Sequence, residues 1–195
     1  MAATVLLSTD QLQLDPLPEA LVTPRWYAAY TRARHEKRVA DQLAQRTVQT
    51  FLPLYSSMRR WKDRRITLQL PLFPSYLFVR LALCDRLRVL QVPGVVSLVG
   101  FNGMPAALPP LEVEALQKAL AQYVQAEPHP YLTAGRQVTI RSGPLQGLRG
   151  VLVRRKGAFR LVVSIHLISR SILVDADLAD IEVGPGRPPQ PSRSS

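Results

Sequence analysis

The chain of 195 residues contains one cysteine, Cys84. A lone thiol excludes an internal disulfide framework and a four-thiolate zinc site, and it suits a reducing compartment, so a cytoplasmic setting is expected. Long apolar runs are missing as well. Nothing approaches the roughly 20 residues that a helix needs to cross a bilayer, and the opening MAATVLLSTDQLQLD has neither a basic start nor a long apolar middle, so neither a signal peptide nor a membrane partner is expected. Histidine is scarce and scattered, at His35, His129 and His166. No G-x-S-x-G, H-E-x-x-H or C-x-x-C arrangement occurs. Asp175, Asp177 and Asp180 end a strand-like run without the glycine and bidentate glutamate of a calcium loop. The expectation is a protein that is not an enzyme, with no catalytic residue, no metal and no cofactor.

What the chain has in excess is positive charge. Lys and Arg number 25 against 14 acids, a net +11, which predicts attraction to a polyanion, nucleic acid being the commonest in cytoplasm. The excess is local: residues 1–24 hold three acids and no base, residues 25–65 hold eleven bases against three acids, residues 66–127 hold four of each, and residues 128–195 hold ten bases against four acids. Long cationic side chains often do no more than keep a surface solvated. The density in 25–65 favours nucleic acid instead: Arg32, Arg34 and Arg38 with Gln42 and Gln45 along one helix face, and Arg59, Arg60, Lys62, Arg64 and Arg65 crowding one turn.

Hydrophobic periodicity divides the chain. Residues 1–24 lack a sustained period and form a flexible leader; residues 185–195, rich in Pro, Gly and Ser, form a disordered tail. Between them lie a unit at 25–125 and a unit at 135–184, joined by a linker at 126–134 in which Pro128 and Pro130 push Glu127 and His129 toward extended backbone. In the first unit RWYAAYT, SYLFVRL and GVVSLVGF are strands. RARHEKRVADQLAQR and DRLRVLQ are helices, and two extended segments flank the basic turn. A helix over PPLEVEALQKALAQYV starts at its prolines and buries Leu111, Ala115, Leu116, Ala119 and Leu120. This order predicts an α+β domain with an antiparallel sheet and flanking helices. The second unit has glycines punctuating β-branched runs and no helical period, as in a small all-β barrel. Its stretch GRQVTIRSGPLQGLRGVLV sets Gly143-Pro144, Gly147 and Gly150 between two strands, where glycine permits backbone that a side chain would obstruct.

That glycine pattern resembles the KOW motif. WYAAYTRARHEKRVADQL, PLFPSYLFVRL and VPGVVSLVGF, in that order upstream, resemble the N-terminal (NGN) domain of the NusG family of transcription elongation factors, and together the likeness covers roughly residues 25–183. PLFPSYLFV, EPHPYLTAG and HLISRSI look closer to the specialised RfaH and UpxY branch than to housekeeping NusG. The resemblance implies a ferredoxin-like NGN sheet domain followed by an SH3-like KOW barrel. It also implies a monomeric factor that binds RNA polymerase across the DNA cleft and suppresses pausing or termination on selected operons. The alternative function is that of a KOW-containing, ribosome-associated RNA-binding protein.

Alternation along PLFPSYLFV puts Leu77, Val79 and Leu81 on one face and Tyr76, Phe78 and Arg80 on the other. By periodicity alone a sheet covered on both sides is the simpler reading. The family likeness implies instead that Tyr76 and Phe78, with Phe73, Pro74 and Tyr30, form an exposed patch that grips the clamp helices of the polymerase. It further implies that the face of Arg32, Arg38, Gln42 and Gln45 meets the non-template single-stranded DNA. Ser164, Ile165, His166 and Leu167 align with the barrel's partner-binding strand and loop. A small-subunit ribosomal protein is the partner implied there; Rho is disfavoured, because His166-Leu167 stands where housekeeping members have Phe-Gly. RfaH refolds this unit from a helical hairpin, but the glycines and the LVVSI run favour a constitutive barrel.

Overall fold

The computed structural model describes residues 18–61, 64–121, 126–129, 136–143, 146–155, 158–175 and 181–183. In chain order the first part contains α1 (Glu19–Val22), β1 (Arg25–Thr31), α2 (Glu36–Gln45), β2 (Gln49–Phe51), β3 (Leu54–Trp61), β4 (Arg64–Pro71) and β5 (Tyr76–Leu81). It continues through α3 (Leu87–Leu90), β6 (Val95–Leu98), β7 (Gly100–Phe101), β8 (Met104–Pro105), β9 (Ala107–Leu108) and α4 (Pro110–Ala121). The second part contains β10 (Ala126–His129), β11 (Arg136–Ile140), β12 (Arg149–Arg155), β13 (Ala158–Ile165), β14 (Arg170–Asp175) and β15 (Ile181–Val183).

β1 is the spine of the first sheet. It pairs antiparallel with β5 from Arg25 to Tyr30, while β6 and β9 share its other edge and β2 lies outside β5. Alternation along β1 sends Tyr27 and Ala29 to one face, where Val39 and Leu43 of α2, Val89 of α3 and Leu77, Val79 and Leu81 of β5 complete a closed core. The opposite face carries Trp26, Ala28 and Phe78, covered by Val113, Leu116 and Ala119 of α4. Leu111, expected in that helix's buried stripe, is 73% exposed, and Val113 takes its place. The helix begins at Pro110, and the 3.6-residue period counted from there puts Val113, Leu116 and Ala119 in line on one face.

β3 and β4 leave the sheet altogether. They form a two-stranded antiparallel ribbon, Leu54 opposite Pro71 at its base and Trp61 opposite Arg64 at its far end.

The second unit is a six-stranded antiparallel sheet ordered β10-β14-β13-β12-β11-β15. Secondary structure reaches into two segments of the chain that lie outside the two expected units. The span read as linker contains β10, whose Glu127 and Pro128 lie opposite Leu173 and Ile172 of β14. Pro130 lies outside the described residues; Pro128, read as part of a stiff connector, lies within that extended strand. Arg160 of β13 fastens it by bridging Glu127 at 3.0 Å and Asp175 of β14 at 2.7 Å. At the other end of the chain the leader includes α1, which lies against the turn Leu83–Asp85. The rest of the leader, residues 130–134 of the linker and the tail 185–195 lie outside the described residues.

One face of the second sheet, with Val138, Ile140, Leu161, Val163, Ile165, Ile172 and Val174, belongs to the same continuous core as Trp26, Phe73, Phe78 and α4. Val151, Val162 and Leu173 form a smaller cluster on the other face. The two units therefore share apolar cover.

Candidate docking and nucleic-acid surfaces

The turn Phe73–Tyr76 is fixed from two sides. Thr31 donates its backbone N–H to the Ser75 carbonyl at 2.8 Å, and the Ser75 N–H donates to Glu36 Oε1 at 2.7 Å. Ser75 adopts φ 68°, a left-handed conformation that a non-glycine residue holds only when its surroundings fix it. Glu36, only 5% exposed at the start of α2, thus connects the basic helix to the aromatic turn.

From this turn the aromatic residues part company. Tyr30 and Tyr76 face each other across β1 and β5 with ring centroids 5.3 Å apart; Tyr30 and Pro74 are exposed and Tyr76 is half-buried. Phe73 and Phe78 are fully buried, in edge contact at 5.6 Å, and Phe51 stacks on Phe78 at 6.0 Å. The expected exposed patch is therefore corrected: Phe73 and Phe78 are core. α4 and the second sheet bury the apolar face that would otherwise meet water, and each buried phenylalanine ring contributes about 2–3 kcal/mol. Arg170 of β14 places its guanidinium carbon 5.7 Å from the Tyr76 ring centroid, a cation–π distance. Nothing in the sequence pattern singles out that contact.

Among the basic residues, Arg32 and Arg34 precede α2 in a loop where Arg34 has φ 65°, so Arg34 is not on the helix face where it was expected. Arg38 and Gln45 are exposed on α2. Gln42 is half-buried and turns its Oε1 into the protein without a partner among the described residues, which removes that oxygen from the proposed surface. Arg60, Arg64 and Arg65 are exposed at the far end of the ribbon, with Arg60 directly opposite Arg65. Arg59 is on β3; Lys62 lies outside the described residues. A further arginine pair, missed by sequence reasoning, brackets the end of the first sheet: Arg46 Nη1 donates to the Arg88 carbonyl at 3.2 Å, while Arg88 Nη2 donates to the Arg46 carbonyl and, at 3.0 Å, to Thr47 Oγ1.

In the second unit the glycines do what their spacing required. Gly143 and Gly147 have φ 77° and 87°, and a Cβ on Gly150 would come within 2.5 Å of the Val162 carbonyl oxygen. Pro144 lies outside the described residues. Of the expected partner-binding residues, His166 is exposed, Leu167 half-buried, Ser164 half-buried and hydrogen-bonded to Ser171 at 2.7 Å, and Ile165 buried in the shared core. Alternation explains the last: Ile165 points to the same face as Leu161 and Val163, so it has no surface to offer. His166 also borders a cleft of about 440 Å³ between the sheet and the first turn of α4, where burial raises the Glu112 carboxyl above its ordinary range and the charge of His166 partly offsets that rise.

The aromatic turn and the basic ribbon are carried by an antiparallel α+β sheet with flanking helices, an NGN-like fold. Residues 24–117, just under half of the chain, match the family model described as Transcription termination factor nusG. Over 184 residues the chain is 26% identical to the Transcription termination/antitermination protein NusG of Deinococcus radiodurans, covering 80% of this chain and 97% of that one. A solved structure described as domain interaction in Thermotoga maritima NusG aligns with a TM-score of 0.54 at 21% identity, covering 83% of this chain and 97% of that one. That likeness is one of fold. No helix among the described residues is long and apolar enough to cross a membrane, and no group of three or more His, Cys, Asp or Glu among them could hold a metal ion.

Proposed function

We propose that the chain is a specialised, RfaH- or UpxY-like NusG-type elongation factor that binds RNA polymerase across its DNA cleft and suppresses pausing or termination on selected operons. The observation that carries this reading is the paired Tyr30 and Tyr76 beside exposed Pro74, held on a rigid sheet by the Glu36–Ser75 bond. Such rings bury large area with few rotatable bonds, the property that makes aromatic residues interface anchors. They would meet the clamp helices, with Phe73 and Phe78 as the floor beneath them. Residues around α3 would meet the opposite rim of the cleft. Bridging two rims favours the closed clamp by binding energy alone, with no chemistry of the factor's own.

Arg170 occupies the ring face of Tyr76 that a partner would take, so docking requires the second sheet to withdraw. That sheet is read as a constitutive KOW barrel that recruits a small-subunit ribosomal protein through His166 and Leu167, with Rho disfavoured. Exposed Arg32, Arg38 and Gln45 would contact the non-template single strand, the protein acting as a monomer in the cytoplasm. The test is Tyr30→Ala with Tyr76→Ala, folding checked by circular dichroism and polymerase binding measured. Truncating anchors of this kind costs about 2 kcal/mol or more; unchanged affinity would remove the proposal.

A further inference from the structure

The ribbon β3–β4 has two unlike faces. Directly opposed residues of an antiparallel pair share a face, so Tyr55 with Leu70 and Ser57 with Leu68 form one side, and Ser56 with Gln69, Met58 with Thr67 and Arg60 with Arg65 form the other. On the first side Tyr55, Ser57, Ile66 and Leu70 are half-buried and Tyr55 packs against the shared core, while Leu68, at 40%, and Arg64 toward the far end are exposed. On the second side all six residues are exposed, Met58 by 69%. A surface that merely keeps a ribbon soluble would not need to set two arginines directly opposite each other, an arrangement that like-charge repulsion disfavours. A polyanion lying between them reverses the sign of that term.

We infer that this outer face binds duplex DNA, the ribbon entering the major groove with Arg60 and Arg65 on the phosphates and Gln69, Thr67 and Met58 against base edges. The groove, about 12 Å wide, admits a two-stranded ribbon, and it presents the donors, acceptors and thymine methyls that such side chains read. Gln69 Nε2 already donates to Ser56 Oγ at 2.8 Å, which orients the amide so that its oxygen is left to accept from a base amino group. Eight residues per strand give a ribbon about 26 Å long, enough to lie along most of a helical turn. A single strand has no groove of that width, so the ribbon discriminates duplex from single strand. The inference rests on the reading that the basic residues contact nucleic acid, and it adds which form of nucleic acid the ribbon takes and which residues read it.

The experiment is fluorescence anisotropy of the full-length chain with a short labelled DNA duplex and with one of its strands, from low to physiological salt. Arg60→Ser with Arg65→Ser should weaken duplex binding about tenfold and reduce the salt slope by about two, while Arg60→Lys with Arg65→Lys preserves the slope. Thr67→Ala with Gln69→Ala should leave the slope alone and shrink the difference in affinity between duplexes of different sequence. Methyl green, which occupies the major groove, should compete; distamycin, in the minor groove, should not. Unaltered thermal melting of each variant establishes that it folds. If the single strand binds and the duplex does not, or if the serine variant weakens both alike, the ribbon inference fails and the α2 contact stands. If neither form binds, both readings fail together. If a polymerase subunit binds the ribbon face and duplex DNA does not, the partner is a protein and the inference is overturned.

Discussion

Arg170 lies over the ring of Tyr76 at 5.7 Å, which makes one side chain of the second sheet the cap on a ring of the first that is proposed as an anchor. A cation–π contact at a partly exposed site is worth about 0.5–1 kcal/mol. Arg170→Ala should therefore leave global stability nearly unchanged and loosen the second sheet locally, raising polymerase affinity two- to fivefold by removing part of the competition for Tyr76. Hydrogen exchange along β14, faster in the variant at equal melting temperature, is the structural readout.

Phe78 and Tyr76 are two residues apart on the same strand face, yet they differ in role. Phe78→Ala removes a ring that is fully buried between Phe51 and Phe73 and should cost about 3–5 kcal/mol in urea unfolding. Tyr76→Ala, at a half-buried site, should cost clearly less. Equal losses would mean that Tyr76 is core as well and would leave the patch without its centre.

The link from Glu36 to Ser75 gives a third test. Glu36→Ala leaves the Ser75 N–H without its acceptor, a loss of about 1–3 kcal/mol for a part-buried donor. Glu36→Gln keeps an oxygen in place and should recover most of it. Because Ser75 has φ 68°, releasing that bond also lets the turn relax, so the alanine variant should lose polymerase affinity out of proportion to its stability. Comparing the two variants separates aiming from folding.

Much of this arrangement was legible in the residues. Alternation over Tyr76–Leu81 and the helical period over Val39 and Leu43 fixed which side chains share a face, and the glycine spacing 143, 147, 150 marked where backbone turns or approaches closely. What alternation cannot supply is the occupant of the far side: a strand face of Trp26, Ala28 and Phe78 has the same pattern whether a helix, a second sheet or a partner covers it. The bonds that decide the site, Glu36 to Ser75 and Arg170 to Tyr76, span 39 and 94 residues and leave no local signal. β10 was hidden for the opposite reason. Prolines at 128 and 130 mark extended backbone, and extended backbone serves equally as connector or as edge strand.

Two glycines of the KOW-like stretch separate conformation from space. At Gly147 a Cβ would meet nothing within 4 Å, so Gly147→Ala should cost only the left-handed strain at φ 87°, about 1–2 kcal/mol. At Gly150 the methyl would lie 2.5 Å from the Val162 carbonyl oxygen and 2.9 Å from Leu161 Cδ1, so the β12–β13 pair must spread. Overpacking of that kind costs about 1–3 kcal/mol and should also disturb the shared core around Leu161. Thermal melts, with amide shifts of β13, should show a local change for the first variant and a propagated one for the second.

Glu112 gives the pH dependence. Burial raises its carboxyl above the ordinary value of 4.5, with His166 opposing the rise, so the folded protein holds the proton more tightly than the unfolded chain does. Between the unfolded and folded values the unfolded state binds fewer protons, and by linkage stability falls as pH rises through that window; above it the loss is complete and constant. The window opens near the ordinary carboxylate value and extends upward from it. Glu112→Gln should flatten this part of the stability curve and raise the melting temperature at neutral pH, since it removes a charge that burial disfavours. His166→Ala should do the reverse, lifting the carboxyl further and widening the window. Melting curves of the three proteins from about pH 4 to about pH 7 decide it: a parent curve already flat there, or a glutamine variant less stable than the parent at neutral pH, would mean that burial in the cleft beside α4 does not penalise the carboxylate.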